Sequence, residues 1–263
     1  MSKKPLILVT NDDGIAAQGI RELVEAVKPL GRVIVVAPDR PQSSMGHAIT
    51  LDQPIRVEPV DLFEGVEAAY QVSGTPVDCV KIAVNKLLDE RPDVCVSGIN
   101  HGLNSSINVI YSGTLSAAME AALEDIPSAG FSLDCVESRC DFRASAQAAR
   151  TITEKILKYG LPPEVFLNVN IPNLKPEEIK GFKVCRQARA RWEETYEERI
   201  DPRGRKYYWL TGRFVNYDKG QDTDEWALAN GYISIVPITL DFTAHHAISY
   251  LLNRWKWNNN DNT

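Results

Sequence analysis

The chain alternates short apolar, β-branched runs with longer segments whose apolar residues recur at helical spacing. The runs predict strands over Leu6–Thr10, Arg32–Ala37, Ala69–Val72, Asp93–Ser97, Ser128–Ser132 and Val165–Ile171. Helical periodicity fills Gly19–Pro29, Pro76–Leu88, Leu115–Leu123 and Phe142–Tyr159, with Thr75-Pro76 and Ser112-Gly113-Thr114 as helix starts. Repeated β–α alternation of this kind builds a mostly parallel sheet with helices on both faces. The expected fold class is therefore α/β, a three-layer Rossmann-like sheet with a C-terminal β-hairpin extension.

After Pro172 the pattern changes. Residues 182–235 carry charged and aromatic alternation around Asp201-Pro-Arg-Gly204, a hairpin-type turn signal. Residues 244–255 read as a final helix and Asn258–Thr263 as a frayed tail. The expected division is an α/β core domain over 1–180 that carries the site, and a hairpin/helix oligomerisation extension over 181–263.

Composition narrows the possibilities. With 263 residues, 44% of them hydrophobic, the chain can bury a sizeable core. A net charge of −6 without a basic tract argues against binding a nucleic-acid polymer. No stretch is long enough to span a bilayer and the N-terminal apolar run is too short for a signal peptide, so a soluble cytoplasmic protein is expected. The five cysteines are scattered without a C-x-x-C pair, which argues against zinc and against a disulfide framework.

The candidate chemistry begins where the first strand ends, in Asn11-Asp12-Asp13-Gly14. Ligands of open α/β sheets bind at the carboxyl ends of strands, and two adjacent carboxylates there repel each other unless a cation lies between them. Asp12 and Asp13 therefore read as a metal site, the alternative being a turn in which one Asp caps a helix. The loop after the second strand offers the hydroxyls of Ser43 and Ser44, suited to a hard cation such as Mg²⁺ or Mn²⁺, or simply a polar turn. The segment Val96–Asn104 followed by Ser105–Thr114 is Gly- and Asn-rich and ends in a helix start, where free N–H groups and a dipole suit an anion. An ordinary loop and cap would look similar one at a time; the three segments together are more specific. His101 reads either as a proton donor or as a solvated histidine. Cys185 and Arg191 have a C-x5-R spacing without the glycines of a phosphate-cradling loop, and Asp241 and His245 read as a brace for the last helix.

These segments resemble the SurE family of survival-protein nucleotidases: its NDDG start, its APDR-x-x-S loop, its SGTP-x-D-C segment (Ser73–Cys79) and its SGIN-x-G-x-N…YSGT loop. The resemblance resumes at Asp201–Gly204 and Asp241–His245. It implies a metal-dependent phosphomonoesterase acting on nucleoside 5′- and 3′-monophosphates, with polyphosphate as a further substrate in some members. It puts one divalent cation, Mg²⁺ or Mn²⁺, on Asp12, Asp13, Ser43 and Asn100, with Asp12, Asp13 and Asn100 as the catalytic set. It puts phosphate on Asn104, Ser112, Gly113 and Thr114, and it implies a homodimer or homotetramer built by exchange of C-terminal elements. The chain departs from the family pattern at Ser106 and Asn108, where Gly and Asp are usual, and at Ala121, where Gly usually follows the glutamate. A signalling receiver domain also pairs acids after its first strand, but its phosphoacceptor Asp is missing after Val72. A non-catalytic nucleotide-binding module would use the same loops as the enzyme.

Overall fold

The computed structural model describes residues 3–137 and 139–255, so the expected tail Asn258–Thr263 lies outside the described residues. In chain order the elements are β1 (Leu6–Thr10), α1 (Gln18–Val27), β2 (Arg32–Pro38), β3 (Val57–Pro59), β4 (Ala68–Val72) and α2 (Pro76–Ile82). A π-helical turn at Ala83–Leu87 leads to β5 (Val94–His101), then a 3₁₀ turn at Ser106–Tyr111, α3 (Gly113–Leu123), β6 (Ser128–Leu133) and α4 (Arg143–Tyr159). The remainder is β7 (Val165–Ile171), β8 (Phe182–Val184), β9 (Ala190–Ile200), β10 (Lys206–Asn216), α5 (Asp224–Ala229), β11 (Ile233–Thr239) and α6 (His245–Arg254).

Nine strands form one sheet in the order β3-β4-β2-β1-β5-β6-β7-β11-β8. From β4 through β7 all neighbours are parallel, whereas β3 and β11 pair antiparallel at either flank. The α/β three-layer expectation holds, and its cause is visible in β1, where all five residues are buried and alternate between two cores. Ile7 and Val9 pack with Val33 and Val35 under α1 (Ile20, Leu23, Val24, Val27) and α4 (Ile152, Ile156). Leu6 and Leu8 face the other way, with Ile34 and Val36, against α2 (Cys79, Val80) and α3 (Ala117, Ala121).

The chain winds from β1 outward through β2 to β4, then returns to the opposite side of β1 with β5 and winds outward again. The crevice at the carboxyl ends of β1 and β5 is thus the topological switch point, where ligands of such sheets bind.

Helix starts follow the sequence. Thr75 caps α2 through a reciprocal box, its hydroxyl accepting from Asp78 N at 3.1 Å while Asp78 Oδ2 accepts from Thr75 N at 2.9 Å.

Differences from expectation have local causes. The fifth strand does not stop at Ser97 but continues to His101, passing Gly98 with a register shift against β6, so Asn100 and His101 stand on a strand end. The expected alternation over 182–235 splits: only 190–216 forms the two-stranded ribbon, with Lys206 opposite Ile200 across the Asp201–Gly204 turn. β8 and β11 instead rejoin the main sheet, because Ile233, Ile235 and Val236 are apolar enough to be buried there. The argument against disulfides is corrected at one place: Cys135 and Cys140 are bonded in the loop after β6, a turn bringing their Cα atoms to 6.0 Å, while Cys79, Cys95 and Cys185 are free and buried. Among the described residues no helix is long and apolar enough to cross a membrane.

Candidate functional site

The turn after β1 is closed by the Asn11 side chain, whose Nδ2 donates to Gly14 O at 2.9 Å; Gly14 takes a φ of +92°, which favours glycine. Having left the strand, the two aspartates reach different walls of one crevice. Asp12 is buried and turns to the head of α3, where the Thr114 hydroxyl donates to Oδ1 at 2.5 Å. Gly113 makes this approach possible, since a Cβ there would lie 2.7 Å from Asp12 Cβ and 2.9 Å from Oδ2. Asp13 turns to the end of β5, its Oδ2 accepting from His101 N at 3.3 Å and lying 3.4 Å from His101 Nδ1. The His101 ring is half-buried and meets Phe142 edge-on at 5.2 Å.

Burial pushes the Asp12 carboxyl up to about 6; the Thr114 hydroxyl bond opposes the shift and the neighbouring Asp13 charge adds to it. A cation beside the pair would relieve both costs. Asn100 donates Nδ2 to Gly102 O at 2.8 Å, which leaves its Oδ1 as the atom available to a cation. The loop after β2 is drawn in by Gln42 N, which donates to Asp12 O at 2.7 Å. Ser43 itself is exposed and, among the described residues, bonds to neither aspartate. The side chains of Asp12, Asp13, Asn100 and Ser43 offer only oxygen donors, which would suit a hard cation such as Mg²⁺ or Mn²⁺. Among the described residues, Thr10 Oγ1, Asn11 Oδ1 and Ser97 Oγ, buried around the same strand ends, have no hydrogen-bond partner, a further sign that the crevice is built for a polar group.

The expected phosphate residues divide in two. Ser112 caps α3 by accepting from Leu115 N at 3.1 Å, so its own hydroxyl proton remains for an anion. The single hydroxyl proton of Thr114 is committed to Asp12, so this residue positions the carboxylate. Asn104 is buried, with Nδ2 donating to Ser132 Oγ at 2.8 Å and its N–H donating to Asn170 Oδ1 at 2.8 Å. Asn168 completes the lattice, its Nδ2 donating to Asn104 O and its Oδ1 accepting from Asn170 Nδ2.

The sequence reading missed these supporting asparagines, although polar residues two apart in the buried run Phe166-Leu-Asn-Val-Asn170 are a signal that one strand face carries a network. It also missed Asp224. This fully buried carboxylate accepts from Ser106 N at 2.7 Å, Ala188 N at 2.9 Å and Glu225 N at 2.9 Å. Ser106, at φ +53°, donates its hydroxyl to Ala188 O and accepts from Ala190 N, so the anion-side loop is fastened to the root of the ribbon. Other motifs lie apart from the crevice. Cys185 is buried and its thiol raised by that burial, while Arg191 lies over the Tyr217 ring. Asp241 Oδ2 pairs with His245 Nε2 at 2.5 Å at the start of α6, the brace expected of them.

Comparison with known proteins shows the family to which the chain belongs. The family model described as Survival protein SurE matches residues 7–194. The 5'-nucleotidase SurE of Christiangramia forsetii is 60% identical over 260 residues, covering 98% of this chain and 99% of the relative. That of Flavobacterium psychrophilum is 57% identical over 255 residues, covering 97% and 99%. Among solved structures, the SurE protein from Aquifex aeolicus superposes with a TM-score of 0.82 at 40% identity, over 95% of this chain and 99% of that one. The chain belongs to the survival protein SurE family.

Proposed function

We propose that this protein is a divalent-metal-dependent phosphomonoesterase, a nucleotidase that hydrolyses nucleoside 5′-monophosphates to nucleoside and phosphate. The reading extends to 3′-monophosphates and to the terminal phosphate of polyphosphate. One observation carries it: a buried carboxylate at the switch point of the sheet, in contact with the N-terminus of a helix at a glycine. The relatives' name, 5'-nucleotidase SurE, supports the substrate class.

Asp12, Asp13 and Asn100, with Ser43, would hold one Mg²⁺ or Mn²⁺. When bound, such an ion supplies Lewis-acid polarisation and a water of lowered pKa. The residues of the chain do the rest by positioning, as is usual in phosphoryl transfer. Thr114 keeps Asp12 in one rotamer, and the His101 N–H holds Asp13. The Ser112 hydroxyl, the remaining Asn104 amide proton and the positive end of α3 orient the phosphoryl oxygens.

Assembly is assigned to the ribbon and to α6. In the ribbon Tyr196, Ile200, Tyr207, Tyr208 and Trp209 are exposed; on α6 Ile248, Tyr250 and Leu252 are exposed and no residue is buried. An apolar surface of this kind on a soluble chain suits a second copy, hence a homodimer or homotetramer.

Phosphate release from nucleoside 5′- and 3′-monophosphates and from polyphosphate, with Mg²⁺ or Mn²⁺ and after exhaustive chelation, tests the activity. Release that depends on the ion is expected. Nucleotide binding without release would favour the non-catalytic module, and full turnover after chelation would refute the metal. Sedimentation analysis of the full chain reads the assembly.

A further inference from the structure

The segment that joins β6 to α4 lies against the crevice and is cross-linked by the Cys135–Cys140 disulfide. Two of its side chains reach the end of β5. Phe142, buried two residues after Cys140, meets the His101 ring edge-on at 5.2 Å. Val136, next to Cys135, lies over Gly102, where a Cβ would stand 3.4 Å from Val136 Cγ1. The two residues touched hold candidate metal ligands from behind. His101 N donates to Asp13 Oδ2 at 3.3 Å, and Gly102 O accepts from Asn100 Nδ2 at 2.8 Å.

The cross-link is placed to govern these contacts rather than the fold. Its cysteines are five positions apart, and the stabilisation that a disulfide gives by constraining the unfolded chain is smallest for short loops. The main sheet is held by backbone pairing and by apolar cores on both faces, so its folding does not hang on this bond. Cys140 is half-buried, whereas Cys135 and the free thiols Cys79, Cys95 and Cys185 are buried. Cys140 Sγ is therefore the sulfur that an attacking thiolate reaches.

We propose that Cys135–Cys140 is a redox-modification site through which a dithiol reductant loosens the hold on the metal. A thiolate of the reductant attacks Cys140 Sγ, forms a mixed disulfide and releases Cys135 as a thiolate, which takes up a proton. The second thiolate of the reductant then attacks its own sulfur in that mixed disulfide and displaces Cys140, which is protonated in turn. The dithiol ends as a disulfide, and the chain gains two electrons and two protons. With the cross-link open, Val136 and Phe142 are no longer fixed to each other, and His101 and Gly102 lose the wall that sets them. Asp13 and Asn100 are then less well oriented, and partners behind a metal ligand are worth roughly 10–100-fold in affinity. The inference rests on the metal reading above and adds a control to it.

The test uses the full chain in three forms: oxidised, reduced with dithiothreitol and desalted without oxygen, and reduced then re-oxidised with oxidised glutathione. The Kd for Mn²⁺, read by calorimetry, is expected to rise about tenfold on reduction and to return on re-oxidation. The double variant Cys135→Ser, Cys140→Ser is expected to bind Mn²⁺ as the reduced parent does, whatever its treatment. In the metal-free parent, amide hydrogen exchange at residues 99–102 should quicken severalfold on reduction, while β1 and β2 keep their protection. An equal Kd in both redox states, or a redox response that survives in the double variant, would overturn the inference. Faster exchange throughout the sheet would overturn it too, since the bond would then serve the fold and not the site. Absence of Mn²⁺ binding in every form strikes the metal reading beneath, and the exchange result then decides by itself whether the bond governs His101 and Gly102. Unchanged exchange at residues 99–102 refutes that link.

Discussion

Thr114 donates its hydroxyl proton to Asp12 Oδ1 across 2.5 Å, tying the head of α3 to the end of β1. The bond offsets only part of the burial that pushes the Asp12 carboxyl up to about 6. Without a cation, the folded protein then holds this proton more tightly than the unfolded chain does. The cost of ionising Asp12 appears as pH rises through about 4 to 6 and persists above that range. From 3.8 to about 6 it is on the order of 3 kcal/mol. Asp12→Asn keeps the acceptor for Thr114 and removes the charge. In chelator at pH 8 the variant should melt higher than its parent by on the order of 5 °C, with the gap closing below about pH 5. Its phosphate release should be abolished. A variant that melts lower at pH 8, or that turns over normally, would contradict this role.

Gly113→Ala places a methyl group 2.7 Å from Asp12 Cβ, so either α3 or the aspartate must move. Overpacking of this kind costs about 1–3 kcal/mol. If Asp12 serves the reaction as proposed, displacing its carboxylate by about 1 Å is expected to lower kcat by about 10²-fold. Steady-state kinetics beside a far-UV circular dichroism spectrum checks this, because the helix content should be unchanged while kcat falls.

What the sequence disclosed followed the range of the forces involved. β1 and β7 fall on their expected boundaries because their limits are local: apolar runs closed by Asn-Asp-Asp-Gly in one case and by Pro172 in the other. The position of Asp12 and Asp13 just beyond the carboxyl end of β1 was legible for the same reason. The partner of Asp12 was not, since Thr114 is 102 residues away and only the return of the chain to β5 brings α3 onto it. Gly98 reads as the end of a strand, whereas β5 runs past it because β6 continues to pair beyond the irregularity. The Asp224–Ser106 fastening needs two loops that no periodicity connects. Within 182–235, alternation marks strands but not the sheet each joins, so β8 and β11 could not be separated from the ribbon.

If Asp12 and Asp13 hold a divalent ion, that ion binds the folded chain and not the unfolded one. Saturating Mn²⁺ should then raise the melting temperature of the parent, since at a hundredfold excess over Kd the stabilisation is about 2.7 kcal/mol. Asp13→Asn removes one of two charges facing the ion but leaves the turn set by Asn11 and Gly14 intact. Its metal-dependent shift should fall below half that of the parent, with the metal-free melting temperature close to unchanged. A full Mn²⁺ shift in this variant would place the ion elsewhere on the molecule.

Glu120 offers a stability test away from the chemistry. It is buried on α3, with Oε1 accepting from Lys81 Nζ of α2 at 2.5 Å and Oε2 3.0 Å from His47 Nε2. Burial by itself would raise this carboxyl, but the bonds and charges of His47 and Lys81 outweigh it and hold the group below the usual range. A folded value below the unfolded one means that the stabilisation is present above the ordinary glutamate pKa of about 4.3 and lost as pH falls through the depressed value. Glu120→Gln should therefore cost about 1–3 kcal/mol at pH 7, because one carboxylate oxygen becomes an amide NH2 that cannot accept from Lys81 or His47. Urea unfolding at pH 7 and pH 3 measures the difference. The deficit should shrink at the lower pH, where the parent has lost the same charge. A deficit of equal size at both values would mean that the shape of the side chain, and not its charge, joins α2 to α3.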